Sequence, residues 1–236
     1  MTPAGFDRRE ALAVTASLGI AALAPAPVLA QAGAGPLAPA YAPQPVPLPF
    51  DPKAVPGLSE RLLVSHHDNN YAGAVKRLGA IGAELAALDP GTAPGYRLNG
   101  LKREELLAWN SMLLHEIYFS QFGTPGRPGR PLATALEHSF GSDARWRSEF
   151  AGMGKALGGG SGWVILAWSP RDRRLVNSWA ADHTMSLCGG TPILVLDMYE
   201  HAYAMDYGAK AAAYVDAVMA ALDWSAADRR FGAIPT

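Results

Sequence analysis

The sequence predicts an α+β protein, with an N-terminal antiparallel helical hairpin and a C-terminal α/β domain built on a three-stranded antiparallel sheet. Three observations lead there. Two long stretches, 58–88 and 102–122, carry apolar residues at three- and four-residue steps, the period of a helix that buries one face. Asp89-Pro90-Gly91 closes the first of them, and a loop to Gly100 folds the second back on it. Short apolar runs at 163–168, 175–180 and 193–196 follow in the second half, separated by turn residues such as Ser169-Pro170-Arg171-Asp172.

Taken in order, residues 1–32 read as a cleaved export signal. Arg8-Arg9 precede a stretch without charge from Ala11 to Ala24, then Pro25, Pro27 and small residues to Ala32. The adjacent arginines predict the twin-arginine route and a bacterial periplasmic location. The run is short and broken by proline, so no membrane association is expected after cleavage. Residues 33–49 are a Pro/Ala-rich linker, and the hairpin domain spans 50–124. Ser59 is placed to cap the first helix, whose stripe includes Leu62, Leu63, His66, Asn70 and Ala74. The second helix runs from Lys102 to about Phe122 and stops at Gly123. Pro125, Pro128 and Pro131 break the chain, and the α/β domain takes 131–236, with helices at 132–140, 144–157 and 209–222 around the strands. The run Gly158-Gly-Gly-Ser-Gly162 lacks the Lys-Ser/Thr of a phosphate loop and precedes a strand, so its meaning is close backbone packing.

Composition narrows the function. The 236 residues carry a net charge of −1, and no basic stretch forms a nucleic-acid footprint. Cys188 is the single cysteine, which excludes an intramolecular disulfide. Its Leu-Cys-Gly setting predicts a buried thiol outside any metal site.

The informative segment is Thr191-Pro-Ile-Leu-Val-Leu-Asp-Met-Tyr-Glu-His-Ala-Tyr203. One element delivers Asp197, a hard oxygen donor, and His201, a borderline nitrogen donor, a mixture suited to a redox-active first-row metal. His66 and His115 sit on the apolar stripes of the two hairpin arms. A histidine in such a stripe is more often a hydrogen-bonded core residue, but one on each arm lets both converge on one point. Together the four supply three nitrogens and a carboxylate, and with one solvent molecule they make a five-coordinate site for iron or manganese.

At these residues the chain resembles the iron/manganese superoxide dismutases, from about Leu48 to Trp224. The Leu-Pro-Phe start, His66-His67, His115, Phe140-Gly-Ser, Gly160-Ser-Gly-Trp163 and Asp197-Met-Tyr-Glu-His-Ala-Tyr203 follow that family's order. The last is close to its Asp-x-Trp-Glu-His-Ala-Tyr signature. The resemblance implies that His66, His115, Asp197 and His201 hold one iron or manganese ion per chain, with iron favoured. It implies superoxide as substrate and a homodimer or tetramer in which Glu200 reaches the partner's His201. Trp163, Tyr199 and Trp168 are expected to wall the metal.

The chain also departs from the family's pattern. A glutamine beside the solvent ligand is absent both at Ser111 and at Gly159, so His183 is the candidate for that contact. The tyrosine eight residues after the first ligand is Ala74, the histidine or tyrosine four residues after it is Asn70, and a tyrosine three after the last ligand is Ala204. Tyr71 is the candidate to refill part of the emptied space, although an ungapped reading points it off the ligand face. These changes leave open a member that binds metal as a store or scaffold with weak or no dismutase activity.

Overall fold

The computed structural model describes residues 39–234, so the export-signal reading and the start of the linker lie outside the described residues. Ser59 opens the hairpin as the sequence predicts. Its hydroxyl accepts the Leu62 amide at 3.1 Å, filling one of the donors that a helix start leaves unpaired. The first arm is one continuous helix in three parts: α1 (Glu60–Ser65), a π-helical segment (His66–Tyr71) and α2 (Ala72–Ala87). Asp89 then accepts from the Gly91 amide and the Thr92 hydroxyl, making the turn. The second arm, α3, spans Gly95–Phe119. It begins earlier than its glycines suggest: the Pro94 carbonyl accepts the Arg97 and Leu98 amides, so Gly95 and Gly100 lie within the helix.

Two helices, α4 (Arg130–Phe140) and α5 (Asp143–Ala156), lead into the sheet. Gly141 ends α4 with a φ of 86°, and Ser142 caps α5 by accepting the Arg145 amide at 3.1 Å. Strand β1 (Trp163–Ser169) lies between β2 (Arg174–Ala180) and β3 (Thr191–Asp197), antiparallel to both. Beyond β3 come a 3-10 turn (Glu200–Ala202), α6 (Ala204–Tyr207), α7 (Ala211–Ala221) and α8 (Ser225–Gly232). The last is short and carries four charged or hydroxyl residues in eight, so its length gave too little pattern to predict it.

The register decides where the site forms. Trp163 pairs with Ala180 on one side and Asp197 on the other, so one end of the sheet brings the three together. Gly162 sits at that end with a φ of 133°, and a Cβ there would lie 2.1 Å from the Ala180 carbonyl oxygen. The close packing expected of the glycine run is real at this residue. On the far side of β3, buried Gln121 donates to the Val195 carbonyl at 2.8 Å and accepts its amide at 3.3 Å, which ties the end of α3 to the strand.

Two expectations fail. Trp168 lies toward the opposite end of β1 from Trp163 and packs edge-on against Phe231, because four residues of strand separate them. Cys188 is exposed, in the turn closed by the Gly190 amide and the Leu187 carbonyl, where no core is available to cover it. Among the described residues, no helix is long and apolar enough to cross a membrane.

Candidate metal centre

Four side chains from separate elements converge. His66 comes from the π-helical segment, His115 from α3, Asp197 from the end of β3 and His201 from the 3-10 turn. One donor atom of each lies within 4.8 Å of all the others. Asp197 Oδ2 is 3.1 Å from His66 Nε2, 3.3 Å from His201 Nε2 and 3.6 Å from His115 Nε2. Donors sharing one ion through bonds of about 2.0–2.2 Å have such spacings.

The carboxylate is divided between two tasks. Oδ1 accepts the Tyr199 amide at 2.9 Å, and this bond turns Oδ2 toward the imidazoles. The Asp197 carbonyl accepts from Tyr214, whose hydroxyl also meets that of Tyr118 at 3.1 Å. His115 Nδ1 donates to the Ser111 carbonyl at 2.6 Å, which leaves the Nε2 lone pair facing the cluster. The Ser111 position therefore supports a ligand through its backbone.

Electrostatics shows what the cluster lacks. Burial pushes His115 down to about 3, helped by neighbouring His66, and burial likewise lowers His66. Both are neutral imidazoles at neutral pH. Burial alone would raise the Asp197 carboxyl, but the hydrogen bond from His201 and the approach of His66 outweigh it and hold the group ionised. A fully buried carboxylate thus faces two neutral imidazoles, His66 and His115, whose Nε2 atoms are buried without a hydrogen-bond partner. A cation at the common point satisfies all of these groups at once, so the residues fit a metal ion.

Around the donors lies an aromatic frame. Trp163 stands edge-on to His115 at 5.2 Å. His183, Tyr199, His201 and His115 form a circuit of nearly parallel rings, with interplanar angles of 20°, 12°, 25° and 21° around it. His183 lies beyond β2, in the loop that leads to β3. Thr184 bonds to Asp182 through its amide and hydroxyl, and Asn110 donates to the His183 carbonyl at 2.6 Å, so the loop is fixed at this point. Its Nδ1 meets the Tyr199 hydroxyl at 3.2 Å, while Nε2 is buried and unpartnered.

The remaining candidates are spread out. Gly159 is exposed, with open space where its Cβ would be. Tyr71 is buried against His67 and Phe119, and its hydroxyl bonds to Glu116 and the Val46 amide. Neither its ring nor its hydroxyl contacts any of the four donors. Asn70 is half-buried, and Glu200 is exposed beside His201. Sequence reasoning missed Ser111, Tyr118 and Tyr214 as supports. For Tyr118 the available signal was its place one turn beyond His115's stripe among aromatic residues; for the other two there was none.

The family model for iron/manganese superoxide dismutases, C-terminal domain, matches residues 128–230. The chain is 63% identical over 187 residues to an iron superoxide dismutase of Cupriavidus metallidurans, covering 79% of this chain and 95% of that one. It is 31% identical over 189 residues to manganese superoxide dismutase 1 of Halobacterium salinarum, covering 78% and 92%. It is also 31% identical over 191 residues to an iron superoxide dismutase of Aquifex pyrophilus, covering 76% and 87%. Sheet register, donor cluster and these relatives lead to one conclusion: the chain belongs to the iron/manganese superoxide dismutase family.

Proposed function

We propose that this chain is a superoxide dismutase, converting two superoxide ions and two protons into dioxygen and hydrogen peroxide. The observation that carries the reading is the buried cluster of His66, His115, Asp197 and His201, in a chain 63% identical to an iron superoxide dismutase. When bound there, an iron or manganese ion supplies the one-electron oxidation and reduction that the two half-reactions need. We favour iron, as in the Cupriavidus relative.

The chain's own residues do the rest. His66, His115, Asp197 and His201 hold the ion, and the Ser111 carbonyl fixes His115 with its Nε2 unprotonated. His183 handles protons. A Tyr199 hydroxyl that donates to Nδ1 keeps the proton on Nε2, the buried nitrogen beside His115 and Trp163. Burial lowers His183 and raises Tyr199 to about 12, so both are neutral and the pair retains its protons at neutral pH. Trp163 keeps bulk water from that side of the donors.

The open side of the site suits a second copy. His201 is a quarter exposed, and among the described residues its Nδ1 has no hydrogen bond. In a homodimer or a tetramer the partner's Glu200 accepts from that nitrogen. The twin-arginine pair and the uncharged stretch after it support export to the periplasm. Protein carrying stoichiometric iron or manganese should remove superoxide far faster than the free ion, and stripping the metal should abolish this. A fully loaded protein no faster than free metal would leave a store or scaffold and sink the reading.

A further inference from the structure

The segment before the hairpin alternates prolines at 43, 45, 47 and 49 with Ala42, Gln44, Val46 and Leu48. Proline at every second position fixes half the φ angles and biases the residues between them to extended conformations. Of residues 45–47, Val46 alone has a backbone amide to give. That amide donates to the Tyr71 hydroxyl at 2.8 Å, and the Val46 carbonyl meets His67 Nε2, also at 2.8 Å. The Tyr71 hydroxyl donates onward to Glu116 on α3 at 3.0 Å, and His67 Nδ1 meets Asp68 at 2.8 Å. One residue's two peptide groups therefore grip both ends of the π-helical segment, next to the donor His66. Upstream, Tyr41 stacks on Trp109 with ring centroids 4.8 Å apart, and its carbonyl oxygen would be 2.7 Å from a Cβ at Gly82.

A π-helical turn inside an α-helix is rare, and it occurs mostly where function holds it. It adds a residue to the turn, so relaxing it would rotate His66 relative to α2. We propose that Val46 is a positioning residue: the proline-spaced strap locks the π-helical turn through Tyr71 and His67 and so aims His66 into the donor cluster. The proposal rests on the reading of His66 as a metal ligand. It also gives Tyr71 a task that does not require it to face the metal.

The test compares full-length protein loaded with iron as wild type, Val46→Pro, Val46→Ala, Tyr71→Phe and His66→Ala. The readouts are iron release into excess chelator and the low-temperature electron paramagnetic resonance spectrum of the ferric form. Val46→Pro removes the amide and Tyr71→Phe removes its acceptor, and each should speed release about tenfold and change the spectrum, the scale expected for groups that orient a ligand. Val46→Ala keeps the peptide and should behave as wild type. Tyr71→Phe tests the same bond should Val46→Pro not fold. Release and spectra unchanged in the folded variants, with iron lost from His66→Ala, overturn the strap while the ligand reading stands. Iron held by His66→Ala as tightly as by wild type removes the ligand reading, and the strap with it.

Discussion

The four donors and the groups just around them are built in different ways. The donors come from four elements, three of the four are fully buried, and a separate bond orients the carboxylate and one imidazole. The neighbours on the proton-handling side hang from the loop between β2 and β3 and from side chains such as Tyr199. The difference teaches that the donors are held by packing together with single orienting bonds, while the groups beside them rest on the hydrogen bonds of one loop.

Substitutions arranged outward from the metal should sharpen that contrast. Asp197→Ala removes the carboxylate that three imidazoles face, so metal affinity should fall by more than about a hundredfold, beyond what losing a supporting partner costs. Metal analysis after dialysis measures it, and retained stoichiometric metal would place the ion elsewhere. His183→Ala should keep the metal and lose roughly 10–100-fold in superoxide removal. Metal loss in that variant would show that the two groups of residues are not separable. Gln121→Ala leaves the Val195 amide and carbonyl unpaired in the core and should cost about 2–3 kcal/mol in urea unfolding.

The smallest effect belongs to Asp223, away from the metal. Burial would raise its carboxyl, but bonds from the Ser225 and Thr124 amides and the charge of Arg229 hold it below the ordinary range. A depressed folded value means the stabilisation is present above the unfolded carboxylate range and is lost as pH falls through the folded value. Asp223→Asn should therefore cost about 0.5–1 kcal/mol at neutral pH and flatten the acid side of the stability profile. An equal loss at pH 2 and pH 7 would contradict this.

Much of this arrangement was legible from residues. Both hairpin arms, all three strands and the Ser59 cap follow from periodicity and turn chemistry. The same stripes that bury Leu62 and Met112 bring His66 and His115 inward. The π-helical turn was not legible, because Leu62, Leu63 and His66 fit an α-helical stripe and the widening begins only at the last of them. His183 was picked from spacing, but its loop depends on Asp182, Thr184 and Asn110, whose pairing is a tertiary matter. Cys188 was expected inside because its neighbours are apolar or small; Gly189 and Gly190 instead make a turn that leaves it outside.

The bonds from Gln121 to β3 have a consequence for how copies of this chain can meet. Val195 has both peptide groups engaged, and Arg230 donates to the neighbouring Ile193 carbonyl at 2.9 Å. Side chains occupy the rim where a fourth strand would otherwise dock. A stray segment or another copy finds no template there for pairing, so strand addition along this border is blocked.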